Sequence, residues 1–553
     1  MKIERIVIRN YKSIKHIDIK CSSKINAFIG GNSVGKSNIF DAINWSLGPV
    51  YPSFNSTLPQ DHFMGDIDND IKITLCFDDG KYLQLAENWE DQNGRKKSGL
   101  NLSQGYVTDV DRQKYCSAYL GVDRSIVDYL PSNRWSLLGR ILLDINKLFK
   151  EQEVVNEETG EVLKKTDIFK SELERIRDEV LFTVEDQNGV QVMKKFIEIL
   201  QKESAKQLNR PEADFKIDLN LYDPWNFFRT LQLIVRENDT NLSFQASNLG
   251  MGVQASISIA VLKAYSQVKL NNSTPLFIDE PELFLHPQAQ RSFYKVLCEL
   301  AENGTQIFYT THSPNFLNVG RFNEIFLVRK NAIEGTYIRN AKPTDFITDL
   351  SIRTGINATE PDLMLQYKNA YEETGDTQKA NEGFFATKII LVEGQSESLV
   401  LPYLFEKVNF DYISKGITIV RCGDKNDIDR FYRLYTEFGI PCYVIFDGDF
   451  QHHGTADEVD TINKNRNILN LLGVASDFPD NVANEKHLGF ERTLNENLGF
   501  ETAKKGLKLF KQVRQQILTA DQVPVWVGEI ILRIEALQDN TKSVLQKPAE
   551  ATS

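Results

Sequence analysis

Gly30-Gly31-Asn32-Ser33-Val34-Gly35-Lys36-Ser37 fits the pattern G-x-x-x-x-G-K-[ST] and constrains this chain more than any other stretch. The apolar run Ile25 to Ile29 enters it as a predicted strand, and helical spacing from Ser37 to Leu47 leaves it, stopping at Gly48-Pro49. Strand, glycine loop and helix in that order wrap backbone N–H groups around phosphate at a helix N-terminus. Gly30, Asn32 and Gly35 form the cradle, Lys36 reaches the β- and γ-phosphates, and the Ser37 hydroxyl ligates Mg²⁺. ATP with Mg²⁺ is the expected ligand.

Further along, Pro275 to Glu280 is an apolar strand ending in two acids. Asp279 is placed to hold Mg²⁺ and Glu280 to polarise an attacking water. A helix is predicted over Pro287 to Glu302 and a strand over Gln306 to Thr310, after which Thr311-His312-Ser313-Pro314 sets His312 where an imidazole can contact a γ-phosphate. Asp-Glu-Pro-Glu-x-x-Leu-His-Pro followed by Thr-His-Ser-Pro resembles ABC-type ATPases of the SMC and RecF-like group. The resemblance implies ATP sandwiched head to tail between two copies, hence at least a homodimer, and a signature loop contributed across it. Ser247 to Gln254 is the best match, with Ser247 and Gly250 approaching the γ-phosphate, although it departs from the usual Leu-Ser-Gly-Gly-Gln order. Gln60 is the candidate by position for a glutamine loop, but an ordinary surface glutamine is the plainer reading.

A second block repeats β-α-β-α-β: strand Lys388 to Val392, helix Ser396 to Lys407, strand Ile417 to Arg421, helix near Asp427 to Phe438, strand Cys442 to Phe446. That order predicts a parallel sheet. Its first strand ends in Glu393-Gly394, with Glu397 one helical turn on, and its last ends in Asp447-Gly448-Asp449. Positions i and i+2 of an extended stretch point to one side, so Asp447 and Asp449 meet Glu393 if the two strands are neighbours. Carboxylates packed this closely need protonation or a divalent cation, and hard oxygen ligands suit Mg²⁺ or Mn²⁺. Such a site activates water against a phosphodiester.

Val-Glu-Gly-x-Ser-Glu with Asp-Gly-Asp resembles the Toprim domain of topoisomerases, primases and certain nucleases, and Arg421 to Asn426 resembles its middle strand and turn, with Asp424 where relatives often carry glycine. An ABC-type ATPase preceding Toprim in one chain resembles the OLD (overcoming lysogenization defect) nucleases, including Gabija-type and retron-associated antiphage effectors. The resemblance implies a later acid assisting a second metal, for which Glu491 in Phe490-Glu491-Arg492-Thr493-Leu494 is the match. It also implies a C-terminal lysine that stabilises the pentavalent phosphate. Lys504 and Lys505, with Lys508 behind them, fit that role, Lys505 standing as the catalytic candidate without the sequence separating it from its neighbour, and a solvated basic helix face is the plainer reading. These, with Lys511 and Arg514, are also suited to DNA phosphates. His452-His453 reads as a polar loop, and Tyr443, inside a strand, is unsuited to nucleophilic attack on DNA.

The expected fold class is α/β: an ABC/SMC-like P-loop ATPase domain over residues 1–345, a linker over 346–385, a Toprim domain over 386–500 and a helical segment over 501–553. Polar residues 80–216 read as an insertion and candidate dimerisation region; without sustained heptads they exclude long coiled-coil arms. The expected activity is an ATP-controlled, Mg²⁺-dependent DNA endonuclease in antiphage defence, working as a homodimer or higher oligomer. A helicase or a reverse transcriptase with its retron nucleic acid is a candidate second partner. The alternatives are a RecF-like DNA-end sensor without nuclease activity, or an effector cutting RNA such as tRNA. Across 553 residues, 64 basic against 76 acidic side chains give a net charge of −12, which excludes a surface basic all over and leaves room for a local groove. The six cysteines contain no C-x-x-C pair and no 18-residue apolar run occurs, so a reducing cytoplasm without membrane insertion is expected.

Overall fold

Ile6, Ile8, Ile17 and Ile19 are buried on one face of β1 (Ile3–Tyr11) and β2 (Ile14–Lys20), which pair antiparallel with Ile8 opposite Ile17. The alternation that marks these strands in the sequence is thus the alternation of core and solvent. The computed structural model describes residues 1–48, 50–91, 93–121, 137–155, 160–208, 211, 223–228, 230–231, 234–236, 243–245, 248–268, 274–354, 357, 359–500 and 504–538.

The first sheet also contains β3 (Ile25–Ile29), β4 (Lys72–Phe77), β5 (Tyr82–Glu90), β6 (Lys96–Leu102) and β7 (Ala118–Leu120). After the small hairpins β8 (Glu153–Val155) with β9 (Val162–Lys164) and β10 (Ile234–Arg236) with β11 (Ser243–Gln245), it resumes with β12 (Leu276–Ile278), β13 (Ile307–Thr311), β14 (Ile325–Asn331) and β15 (Gly335–Arg339). These eleven strands run in the order β6-β5-β4-β1-β2-β15-β14-β3-β13-β12-β7. β14, β3, β13, β12 and β7 are mutually parallel, so the carboxyl ends of β3, β12 and β13 share one edge.

Residues 80–216 are therefore not one insertion. β5, β6 and β7 are sheet strands, and Leu83 and Leu85 of β5 are buried beneath its polar outer face. The excursion lies between β7 and β12, with helices Leu137–Glu151, Lys165–Ile176 and Val192–Leu208 and the hairpin β8-β9. That hairpin pairs Val155 with Val162.

Residues 346–385 differ from a linker. They carry most of the helix Pro343–Thr354 and the helices Glu360–Glu373 and Thr377–Glu382. Two of these helices begin at side-chain caps: Thr359 Oγ1 accepts from Asp362 N, and Asp376 accepts from Lys379 N. Phe346, Tyr367 and Phe384 are buried, with Phe322 stacked edge-on to Phe346 and Tyr367, and Phe384 to Tyr435 and Phe438. One hydrophobic core consequently runs from β3 and β13 through these helices into the second sheet.

The second sheet is wholly parallel: β16 (Lys388–Val392), β17 (Ile417–Arg421), β18 (Cys442–Asp447) and β19 (His487–Phe490), in the order β17-β16-β18-β19. Its first three strands match the sequence reading within one residue. The helix Val525–Ala536 packs Val527, Ile530 and Ile534 into the same domain's core. All six cysteines are free thiols, and no helix among the described residues is long and apolar enough to cross a membrane.

Candidate active sites

The glycine loop is shaped by contacts distant in sequence. At Gly35, φ is +104° and a Cβ would lie 2.2 Å from Thr336 Oγ1 and 2.6 Å from Ser13 Oγ, so only glycine fits. Thr336 Oγ1 donates to Val34 O at 2.8 Å, fixing the loop to β15. Lys36 is buried, and its Nζ donates to Gly30 O (3.0 Å), Gly31 O (2.9 Å) and His312 Nε2 (2.8 Å). Burial lowers the Lys36 ammonium to about 8, against the pull of Glu280, Glu282 and Asp279. Burial and then the Lys36 charge lower His312, which favours the neutral imidazole that accepts this bond. Asn32 and Ser37 are exposed at the loop and at the first turn of the helix Lys36–Leu47.

Asp279 is buried at the end of β12, accepts a hydrogen bond from Thr310 Oγ1, and is raised chiefly by burial. Glu280 has φ +47°, and its Oε1 lies 3.7 Å from His312 Nε2. Lys36, Asp279, Glu280 and His312 are thus gathered at one sheet edge, and the cradle, buried cation and acids suit a nucleoside triphosphate with its ion. Gly250 immediately precedes the helix Met251–Val268, and a Cβ there would meet nothing within 4 Å. Ser247 lies outside the described residues. Gln60 is exposed on a cleft of about 640 Å³ that Lys12, Ser13 and Lys330 also line.

In the second sheet β16 and β18 are parallel neighbours, so Glu393 and Asp447 leave adjacent strand ends. Glu393 is pushed up to about 7, by burial first, against Lys425, with Glu397 and Asp449 adding to the rise. Asp447 is raised well above the carboxylate range by burial, then by Glu397, Glu393 and Asp449. Burial also raises Glu397, whose Oε2 accepts from Gly394 N at 3.1 Å and whose charge Lys505 helps to hold. Asp449 differs: burial pushes it up, but Lys425 and Gln451 outweigh burial and hold it low.

The loop is rigid. Asp449 has φ +54°, and a Cβ on Gly448 would lie 2.6 Å from Glu491 O and 2.7 Å from Phe490 O. Asp447 Oδ1 accepts from Leu494 N at 2.9 Å. A divalent ion fits this donor set on one observation above all: Glu393 Oε2 is buried without a hydrogen-bond partner, a costly state that a cation relieves. No three acidic, histidine or cysteine side chains among the described residues are closed around one point, and Asp449 is engaged by Lys425.

Glu491 is exposed, and its main-chain carbonyl accepts from Phe450 N at 3.0 Å. Lys504 and Lys505 are exposed ahead of the helix Leu507–Gln516. Gly506 N donates to Ser396 Oγ at 2.9 Å, tying that segment to the turn that carries Glu397. His452 Nδ1 lies 3.1 Å from Thr461 Oγ1, His453 pairs with Glu458, and the buried Tyr443 donates to Asn484 O.

Comparison with known proteins gives two family matches. Residues 1–104 and 96–317 match an AAA ATPase domain, and residues 384–449 match the TOPRIM domain of overcoming lysogenization defect protein-like proteins. The chain is 29% identical to the OLD nuclease of Thermus scotoductus over 474 residues, covering 81% of this chain and 82% of that one. The chain belongs to the OLD family. The Old nuclease of Escherichia phage P2 is 24% identical over 81% of this chain and 78% of its own. The endonuclease GajA of Bacillus cereus strain VD045 is 20% identical over 94% and 86%. Among solved structures, the SMC head bound to the C-terminal winged-helix domain of ScpA aligns with 63% of this chain and all of its own, at 15% identity and a TM-score of 0.36.

As an OLD-family ATPase–Toprim enzyme the protein uses nucleotide and a divalent metal. Two residues of this OLD chain escape a reading of motifs. Glu282 accepts from His312 N at 2.5 Å and from Thr311 Oγ1 at 2.8 Å, and so orients the His312 loop. Its signal was its place two positions after Glu280. Lys425 is buried against Asp449, and nothing in Gly423-Asp424-Lys425-Asn426 distinguishes it from an exposed lysine at a helix start.

Proposed function

We propose that this protein is an ATP-regulated, Mg²⁺-dependent DNA endonuclease of antiphage defence, with Mn²⁺ as an alternative ion. The observation that carries the reading is the mutual perturbation of Glu393, Glu397, Asp447 and Asp449 at two adjacent strand ends, with Glu393 Oε2 buried and unpartnered. Glu393, Asp447 and Asp449 would hold the ion, Glu397 would hold it or take the proton of the attacking water, and Glu491 would assist a second ion. The bound ion would polarise the phosphoryl oxygen and lower the pKa of water. Water oxygen bonds to phosphorus, the bond to the leaving sugar oxygen breaks, and that oxygen receives a proton. Lys505 would offset the charge that develops on the phosphate, and Lys504, Lys508, Lys511 and Arg514 would hold the DNA backbone.

In the nucleotide domain Gly30, Asn32, Gly35, Lys36 and Ser37 would hold ATP, Asp279 its ion, and Glu280 and His312 the attacking water and γ-phosphate. Ser247 and Gly250 would close the site from a second copy, making a homodimer or higher oligomer. The helices between β7 and β12, which expose Phe196, Ile199 and Leu200, suit that association. A cytoplasmic location and a second defence protein accord with this reading.

Purified protein incubated with supercoiled plasmid, Mg²⁺ or Mn²⁺, and with or without ATP tests it. Nicking lost in Glu393→Ala is expected, with the ATP response lost in Lys36→Ala. ATP hydrolysis without any metal-dependent cleavage would turn the reading toward a DNA-end sensor, and cleavage of tRNA alone toward an RNA effector.

A further inference from the structure

Lys425 is the first residue of the helix Lys425–Glu437 and is 4% exposed. Three costs attend a lysine there: the ammonium loses its hydration, the positive end of the helix dipole opposes it, and a long side chain is immobilised. Only strong acceptors offset such costs. Lys425 Nζ donates to Asp449 Oδ2 and, at 3.3 Å, to Asn465 Oδ1. Asn465 is fully buried and donates in turn to Gly448 O at 2.7 Å, so one amide clamps both the lysine and the Asp447-Gly448-Asp449 loop. Glu393 faces the same ammonium from β16. Three separate segments therefore build a seat for one cation beside the acids.

We propose that Lys425 is a resident counter-cation: it holds Asp449 while no divalent ion is bound, and an ion binds by taking Asp449 from it. This rests on the reading of the four acids as an ion site. Ion binding is then an exchange, in which Asp449 leaves an ion pair to join Glu393 and Asp447. Lys425 is a positioning residue. It keeps the acid cluster tolerable in the ion-free protein and weakens ion affinity by competing for one ligand, which raises the ion concentration at which the site fills.

The test uses the full-length chain without nucleotide, with Mn²⁺ alone as the probe, in thermal melts and isothermal titration calorimetry. Lys425→Met is expected to melt lower than wild type in EDTA, to bind Mn²⁺ about tenfold more tightly, equivalent to about 1.4 kcal/mol, and to gain more in Tm from Mn²⁺. Lys425→Gln, which keeps a hydrogen bond but no charge, should bind Mn²⁺ more tightly too while melting closer to wild type in EDTA. In an Asp449→Asn background, Lys425→Met should lower the EDTA melt much less. Mn²⁺ affinity unchanged or weakened in both lysine variants overturns the proposal, as does failure of both to fold even in saturating Mn²⁺. Wild-type Mn²⁺ binding that persists in Glu393→Gln would overturn the underlying site reading instead, because the titrated ion would then be seated elsewhere.

Discussion

Lys36 Nζ donates to His312 Nε2 across 2.8 Å, joining the glycine loop of β3 to the end of β13. The residues lie 276 positions apart, and on the proposed reading a γ-phosphate would be bound between them. Replacing Lys36 by Ala should lower ATP hydrolysis about 10²- to 10³-fold. Phosphate release assays with a nucleotide titration check this, and hydrolysis within a factor of about two of wild type would remove Lys36 from the phosphate site.

Glu393→Gln should abolish metal-dependent cleavage and yet raise the melting temperature in EDTA. A neutral amide replaces a buried carboxylate that has an unpartnered oxygen beside two other acids. A melt in EDTA and a nicking assay read the two effects on one preparation. Lost cleavage with a lower melt would mean that Glu393 is structural.

Asn381 Nδ2 donates to Pro314 O (2.8 Å) and Leu317 O (2.9 Å), just beyond His312, and Asn381 lies seven positions before β16, the strand that ends at Glu393. Tyr435 donates to the neighbouring Ala380 O at 2.6 Å from the Toprim side. Asn381→Ala should cost about 1–3 kcal/mol of stability and move the ratio of cleavage with and without ATP toward one, while hydrolysis persists. An unchanged ratio would mean that the two sites communicate by another route.

Glu324 is 9% exposed, and burial raises it to about 7 against the nearby Arg321. Its folded form holds a proton that the unfolded chain releases near pH 4.5, so between roughly pH 4.5 and 7 stability falls as pH rises. Glu324→Gln should therefore stabilise the protein at pH 8 relative to pH 5, by at most about 3 kcal/mol. Denaturant melts of both proteins at the two pH values check this; equal differences at pH 5 and pH 8 would refute it.

The periodicity of β16, β17 and β18 and their helices was readable because each strand is an unbroken apolar run bounded by turn residues, so local pattern and tertiary role agree. The nucleotide loop was readable for a similar reason: its glycines, lysine and serine are adjacent in the chain. Strands β5 and β6 were not, because their polar outer faces and turns resemble an irregular segment until the sheet supplies partners. The helices of 343–382 were missed because capping threonines and aspartates use the same residue types as loops.

By itself the sequence determined the chemistry at hand: a phosphate cradle, a strand ending in Asp279-Glu280, and acids at Glu393, Asp447 and Asp449. Tertiary structure decided their environment. Burial by other strands and helices lowers Lys36 to about 8 and lifts Glu393 to about 7, and only folding sets Lys425 against Asp449. The physical reason is that residue type fixes which atoms can donate or accept. Desolvation and the distance between charges, set by segments hundreds of residues apart, fix what those atoms do.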